Sequence, residues 1–410
     1  MKILHTADWH LGKRLQTYSR LEEQREVMDE ICRIADEQEV DVVLIAGDLY
    51  DTFSPPNEAI ELFYKTLHRL AKGGKRAVIG IAGNHDSPDR INAPDPLARA
   101  CGIILCGRPL SEVKDCKMEA GMEVLRSEPG FAELSIPGYD YPLRLLLTPY
   151  ANEATMRQYL GEEEREEELR RLLQEHWQHL ADTYCDEQGV NMLMTHLFVA
   201  DQHNPTEEEE GDGERPILHM GGAQAIYTQN MPSQLQYVAL GHLHRYQVVS
   251  KAPCPVVYSS SPLAYSFSEA NQPKFVVLLE AAPGKPVQMK PIRLQSGRRL
   301  HRKRFEALEE AISWLQENPS TFVELTMVCD QYLDAKIRKA LTKAHDGIVN
   351  IIPEPRSLEG EEKNLKYQNS HYQLDMTDMF KNYFKSRKGQ EPNETMMALF
   401  REILQDGDKT

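Results

Sequence analysis

Along the N-terminal quarter of the chain, apolar positions switch repeatedly between the period of a strand and that of a helix. Residues 1–7 make a short apolar run of strand length. Leu21, Val27, Met28, Ile31 and Ile34 then recur at helical spacing within 21–38. Residues 40–47, VDVVLIAG, are apolar almost without interruption and rich in β-branched side chains, as expected of a strand covered on both faces. A helix over 59–71 and strands over 76–82 and 102–106 continue the alternation. Strands alternating with helices predict a layered α/β core.

Past residue 130, strand signals crowd together at 132–136 and 144–149, ahead of a long charged helix over 153–185. Further strands are predicted at 191–195, 236–240, 256–259 and 274–279, with a surface loop over 200–220. The α/β core so defined spans 1–281. Pro283-Gly284 and a basic stretch mark its end. Helix 305–317, strand 321–328, helix 333–345 and strand 348–352 predict a small α+β unit over 282–355, and a polar linker over 356–373 follows. The last segment, 374–410, contains two amphipathic helices, 376–388 and 393–405. Their apolar faces, with Met379, Phe380 and Phe384 on one and Met397, Phe400 and Ile403 on the other, must be covered by this chain or lie in a partner's groove.

Composition changes this picture little. The 410 residues are 41% hydrophobic and 27% charged, which is ordinary for a globular chain of two or three domains. No apolar run is long enough to span a membrane, and Asp8 interrupts the first one before a secretory-signal core can form, so a cytoplasmic location is expected. Seven scattered cysteines without a CxxC pair read as reduced thiols. The net charge of −16 argues at first against a nucleic-acid partner. Much of the acid, however, sits in two runs, 162–168 and 207–214, whereas 285–304 holds eight Lys and Arg and no acid. That basic stretch either tracks phosphates or is a solvated linker.

Five short patterns close predicted strands, where open α/β sheets place their sites: Asp8-Trp9-His10, Gly47-Asp48, Gly83-Asn84-His85-Asp86, Thr195-His196 and Gly241-His242-Leu243-His244. Each alone is weak; together, in this order, they point to one chemistry. Two divalent ions roughly 3.5–4 Å apart can hydrolyse a phosphoester, and holding them so close needs a bridging carboxylate to screen their repulsion. Asp48 is the expected bridge. Asp8, His10, Asn84, His196, His242 and His244 complete the metal set, and a mixed imidazole, carboxylate and amide set suits manganese or iron. His85 is then left beside the phosphate as a catalytic acid or transition-state stabiliser, with Asp86 behind it to orient it; the alternative is a supporting role only. Lys13, Arg14 and Arg90 either touch a DNA backbone or are surface charges without a task.

The strings KILHTADWHLGK, GDLYDTFSPPNEA, GNHDSPDR, MTHLFVA, YVALGHLHR and YSSSPLAYSFSE resemble the calcineurin-like metallophosphoesterases, and among them the nuclease subunits of bacterial SMC-type nuclease complexes. The resemblance implies an α/β two-sheet sandwich with an α+β capping domain and C-terminal partner-binding helices. It implies that Asp8, His10, Asp48 and His244 hold one Mn2+ ion, and Asp48, Asn84, His196 and His242 the other. It further implies exonuclease and hairpin endonuclease action in DNA end processing, recombination and repair. The implied assembly has two copies of the chain with two of an SMC-like ATPase, dimerised through the nuclease domain and associated with the nucleoid. One position departs from the family pattern: Ser260 stands where glycine is usual, and a local backbone adjustment is expected there. Two other functions share the motifs, a small-molecule phosphodiesterase or nucleotidase and a catalytically silent scaffold. The first needs neither cap nor tail, and the second loses metal ligands first.

Overall fold

The apolar run at 40–47 becomes the strand Val42–Ala46, every residue of which is buried. The computed structural model describes residues 1–118, 121–151, 165–201, 226–329 and 334–355, with 380, 392, 396, 397 and 400. The start of the long charged helix, the acidic run 207–214, the linker 356–373 and most of the two C-terminal helices lie outside the described residues. The chain divides into two compact units, Met1–Thr326 with Ala335–Ile352, and Met327–Asp334 with Pro353–Thr410.

In the first unit two sheets stack face to face. The first has six strands in the order Gln288–Arg293, Phe275–Glu280, Lys2–Thr6, Val42–Ala46, Ala77–Ile81 and Ile103–Cys106. Its last four are mutually parallel. The second has seven strands in the order Gln247–Ser250, Val256–Tyr258, Tyr237–Leu240, Val190–Thr195, Leu143–Thr148, Phe131–Ser135 and Glu123–Glu128, with a parallel centre and antiparallel edges. Ile3, Val42, Leu44 and Ile79 of the first sheet interdigitate with Leu145, Met192, Met194 and Ala239 of the second. On the outer face of the first sheet, Val43 and Ile45 pack on Val27, Ile31 and Phe63 of the helices Leu21–Glu37 and Asn57–Ala71. On the outer face of the second, Leu146 and Leu193 pack on Leu173, Trp177 and Leu180 of the helix Arg165–Tyr184. The result is a helix–sheet–sheet–helix sandwich, which explains why the central strands are apolar on both faces.

In the two large sheets three strands lack a clear apolar pattern, and the sequence does not announce them: Glu123–Glu128, Gln247–Ser250 and Gln288–Arg293. All three are sheet edges, half exposed, where alternation weakens because only part of each strand packs. Pro291 fits this position, since an edge strand leaves one row of N–H sites unused. The basic stretch is therefore not a free linker. Its first half completes the first sheet and its second half opens a three-stranded sheet, Arg299–Phe305, Thr321–Cys329 and Ile348–Pro355, accompanied by the helices Leu308–Glu317 and Ala335–Ala344.

The short hairpin Arg14–Leu15 with Tyr18–Ser19 follows His10 directly. Leu15 clusters with Leu300 and Phe322, and the Tyr18 hydroxyl donates to the Ile348 carbonyl at 2.9 Å. The loop that carries Asp8 and His10 thus continues into a contact with the small sheet. In the second unit, the Phe380 and Phe400 rings stack with centroids 4.1 Å apart.

Candidate metal centre

All five motifs fall at the C-terminal ends of parallel strands, at one end of the sandwich. The chain leaves each strand abruptly there. Asp8, His10, Asp48 and His242 have φ of 54°, 43°, 46° and 107°, values that non-glycine residues rarely adopt. Such strain persists only where the surroundings hold it, and it gathers at functional sites. Here backbone bonds hold it: Asp8 N–H donates to Gly47 O, and His10 N–H to Asp48 O, at 3.0 and 2.9 Å. Glycines make room, Gly83 and Gly241 among them. A Cβ on Gly83 would lie 2.1 Å from Asp48 Oδ1, and one on Gly241 would lie 1.7 Å from Ala46 O.

The structure brings together all seven residues expected from the motifs. His10 Nε2 and His244 Nε2 are 3.0 Å apart. Asn84 Oδ1 lies 3.0 Å from His196 Nε2 and 3.2 Å from His242 Nδ1. Between the two groups stands Asp48, whose Oδ2 is 3.5 Å from His10 Nε2 and 3.2 Å from His196 Nε2. Asp8 Oδ1 accepts the His242 backbone N–H at 2.8 Å and approaches His196 Nδ1 at 3.7 Å. Asp8, His10 and His244 form one cluster of donors, and Asp8, Asp48 and His196 another.

Divalent cations fit these donors. Asp8 Oδ2 is buried without a hydrogen-bond partner, an arrangement that costs free energy unless a cation satisfies it. Burial pushes the Asp8 carboxyl up to about 7, and the nearby Asp48 charge adds to this against the pull of His196 and His244. Although burial opposes charge at His196, Asp48 raises its imidazole to about 9, and the histidines in turn hold Asp48 below the usual carboxylate range. The site is thus a buried pool of exchangeable protons, which divalent ions would displace. The tautomers suit this. His196 Nδ1 lies 2.9 Å from Ala46 O, and a carbonyl can only accept, so Nδ1 carries a hydrogen. Nε2, which faces Asp48 Oδ2 and Asn84 Oδ1, is the nitrogen that a divalent ion would take once its proton leaves.

His85 sits beside this set, half-buried, its ring 4.8 Å from that of His10 between centroids. Its backbone N–H donates to Asp48 Oδ1 at 2.9 Å, and its Nδ1 meets the Asp51 carbonyl at 2.8 Å. Asp86 stands differently from the expectation. Its carboxylate accepts backbone N–H groups of Leu49, Tyr50 and Gly83 at 2.8–3.0 Å, so it braces the two ligand loops rather than turning His85. Neighbours on a tight turn project apart, and adjacency in sequence misleads there. Burial, then the Asp48 charge, pushes the Asp86 carboxyl up to about 6.

Lys13 pairs with Asp51 at 3.0 Å, the Arg14 guanidinium bonds the Thr17 carbonyl within its hairpin, and Arg90 is exposed. Sequence reasoning assigns nothing to Asp51, which lies 3.6 Å from His10 Nδ1, or to Glu269, which lies 3.3 Å from His244 Nδ1. Both stand inside the quoted strings, Asp51 in GDLYD and Glu269 in YSFSE, but no spacing rule marks them.

The model of the calcineurin-like phosphoesterase family matches residues 1–246. Over 414 aligned residues the chain is 35% identical to the SbcD subunit of nuclease SbcCD from Bacillus subtilis (strain 168), covering 98% of this chain and 97% of that one. Over 291 residues it is 31% identical to the protein of the same name from Rhodobacter capsulatus, covering 69% of this chain and 67% of that one. The chain therefore belongs to the calcineurin-like phosphoesterases and, within them, to the SbcD family of SbcCD nuclease subunits, and it is a metal-dependent phosphodiesterase.

Proposed function

We propose that the protein is a manganese-dependent DNA nuclease subunit that trims double-stranded ends and opens hairpins, working with an SbcC-like SMC-type ATPase in a complex of two copies each. The observation that carries the metal part is the position of Asp48 Oδ2, within 3.5 Å of His10 Nε2 on one side and 3.2 Å of His196 Nε2 on the other. Asp8, His10, Asp48 and His244 would hold one ion, and Asp48, Asn84, His196 and His242 the second. Two such ions supply Lewis acidity and a nucleophilic water at neutral pH.

The chain's own groups do the rest. Asp8 keeps its place by accepting the His242 N–H, and Asp48 by accepting the His85 N–H. His85, with Nδ1 turned to the Asp51 carbonyl, is assigned the transfer of a proton from Nε2 to the leaving oxygen. Lys13, Arg14 and Arg90 are assigned to the DNA backbone, where positive side chains position a duplex without reading its sequence. Residues 282–355 are assigned to a cap that borders the DNA, and 374–410 to the grip on the ATPase. A cytoplasmic, nucleoid-associated location accompanies this function; among the described residues no helix is long and apolar enough to cross a membrane.

The test is digestion of a hairpin DNA and of a cyclic nucleotide by the purified chain with Mn2+, with and without the ATPase. Cleavage of the hairpin in preference to the cyclic nucleotide is the expected result. Turnover of the cyclic nucleotide alone would reassign the protein to small-molecule substrates.

A further inference from the structure

We propose that Glu269, anchored by Lys274, is a positioning residue that fixes the tautomer and orientation of the His244 imidazole and so governs affinity at the first of the two metal positions. The proposal rests on His244 being a metal ligand. Glu269, Lys274 and His244 are 3%, 7% and 4% exposed, so the three polar side chains are shut away from water together. Glu269 Oε1 lies 3.3 Å from His244 Nδ1 and accepts the backbone N–H groups of Tyr265 and Ser266 at 3.1 Å each. Its Oε2 meets the Lys274 ammonium and the Ser261 hydroxyl. Lys274 spends its other donors on the His244 carbonyl at 2.8 Å and Ser261 Oγ at 2.9 Å. Both the ring and the backbone of His244 are thereby tied to one buried pair.

A carboxylate can only accept, so His244 Nδ1 must carry the hydrogen and Nε2 presents its lone pair. That Nε2 is the atom 3.0 Å from His10 Nε2. Tyr265, from the same loop, packs edge-on against the rings of His10 and His244, with centroids 5.5 and 6.1 Å apart, and so borders both rings. Stability alone does not account for the arrangement, because an apolar pair of similar volume often serves a core as well as a buried ion pair. What an apolar pair cannot do is hold a ring nitrogen's proton. The second position differs: His196 is set by the backbone carbonyl of Ala46, which no side-chain substitution removes. Loss of Glu269 is therefore expected to weaken one ion and spare the other.

The experiment titrates metal-free protein with Mn2+ by calorimetry and checks folding by thermal unfolding. In Glu269→Leu with Lys274→Met, one of the two Mn2+ equivalents should weaken roughly 10–100-fold, the usual effect of losing the partner of a ligating histidine, while the other is unchanged. Glu269→Gln with Lys274→Met keeps an uncharged acceptor for Nδ1–H and should recover most of the lost affinity. Wild-type binding of both equivalents in the folded Leu/Met protein overturns the proposal. So does a Gln/Met protein as weak as the Leu/Met one, which would reduce the pair to packing. His244→Ala separates the two levels. If it also leaves both equivalents intact, the ligand assignment falls and the proposal with it; if it weakens one equivalent while Leu/Met does not, only the proposal falls.

Discussion

The Nε2 atoms of His10 and His244 face each other at 3.0 Å, and the Nδ1 atom of each ring is turned towards a carboxylate, Asp51 and Glu269. Two lone pairs at that separation repel, so the pair must share a proton or bind a cation, and a divalent ion displaces the proton. Chelation should therefore lower the thermal midpoint of the protein, and Mn2+ should restore it. A site occupied at 100 times its dissociation constant adds about 2.7 kcal/mol to stability. A midpoint indifferent to chelator and Mn2+ would mean that the histidine pair is not a cation site.

His85 separates chemistry from metal binding. Its hydrogen bond to Asp48 comes from the backbone N–H, so a substitution leaves that bond in place. In His85→Gln, DNA cleavage should drop by roughly 10²–10⁴-fold, the usual contribution of a proton-transferring side chain, with the metal content unchanged. Metal analysis and single-turnover cleavage on the same preparation decide the matter. Full activity would take His85 out of the reaction.

The metal donors are readable in the sequence because each closely follows an apolar run of strand length, and a parallel strand delivers its next residues to the same end of the sheet. The groups that hold those donors in place are not readable. Glu269 reaches His244 across 25 residues, and Ala46 reaches His196 across 150, through contacts that exist only once the sheets have stacked. Asp86 falls in the site as its motif implies but meets a different neighbour, since its carboxylate turns back to Leu49, Tyr50 and Gly83. The edge strand Gln288–Arg293 is hidden for another reason. Its exposed, basic positions carry no alternation, and only its pairing with Phe275–Glu280 defines it.

Ser260 keeps the glycine-like backbone that its position in the family pattern implies, with φ of 82°, rather than adjusting it. Its hydroxyl explains the tolerance: Oγ accepts the Phe275 N–H at 2.9 Å and donates to the Phe275 carbonyl at 3.2 Å. Ser260→Ala keeps the strain and strands the Phe275 N–H, a loss of roughly 1–3 kcal/mol. Ser260→Gly also loses the hydroxyl but relieves the φ, recovering about 1 kcal/mol. Chemical unfolding should rank wild type above Gly and Gly above Ala. A glycine variant more stable than wild type would show that strain outweighs the hydroxyl's bonds.

His5 makes the sandwich acid-sensitive. It is fully buried between the sheets, with Nε2 3.1 Å from the Leu240 carbonyl and Nδ1 3.0 Å from the Tyr237 hydroxyl. The carbonyl requires a hydrogen on Nε2, which leaves Nδ1 to accept from tyrosine, so the neutral ring is fully bonded. Burial lowers its pKa to about 3, against the upward pull of the Leu240 carbonyl. A histidine depressed in the folded state stabilises above its unfolded pKa near 6.5, and this contribution drains away as the pH falls from there towards 3. Between pH 7 and pH 5 the loss comes to roughly 2 kcal/mol. His5→Gln keeps a donor and an acceptor but cannot titrate. Its unfolding free energy should fall less than that of wild type over the same interval, by about that amount. Equal pH slopes would mean that His5 is not the titrating group.

Gly83 and Gly80 flank one strand end, yet a single methyl group should affect them in opposite measure. At Gly83 an added Cβ meets Asp48 Oδ1 at 2.1 Å and Asp48 N at 2.2 Å, and neither can retreat, because Asp48 also accepts the His85 N–H. At Gly80 it meets only Leu105 Cδ2, at 3.0 Å, the far end of a flexible side chain. Gly83→Ala should therefore displace Asp48, with loss of Mn2+ binding and cleavage and an overpacking cost of roughly 1–3 kcal/mol. Gly80→Ala should leave metal binding intact, since Leu105 can rotate away from the added carbon. Mn2+ titration of the two variants side by side tests the bridging role of Asp48 without touching any proposed ligand. Normal Mn2+ binding in Gly83→Ala would show that the two ion positions do not depend on where Asp48 stands.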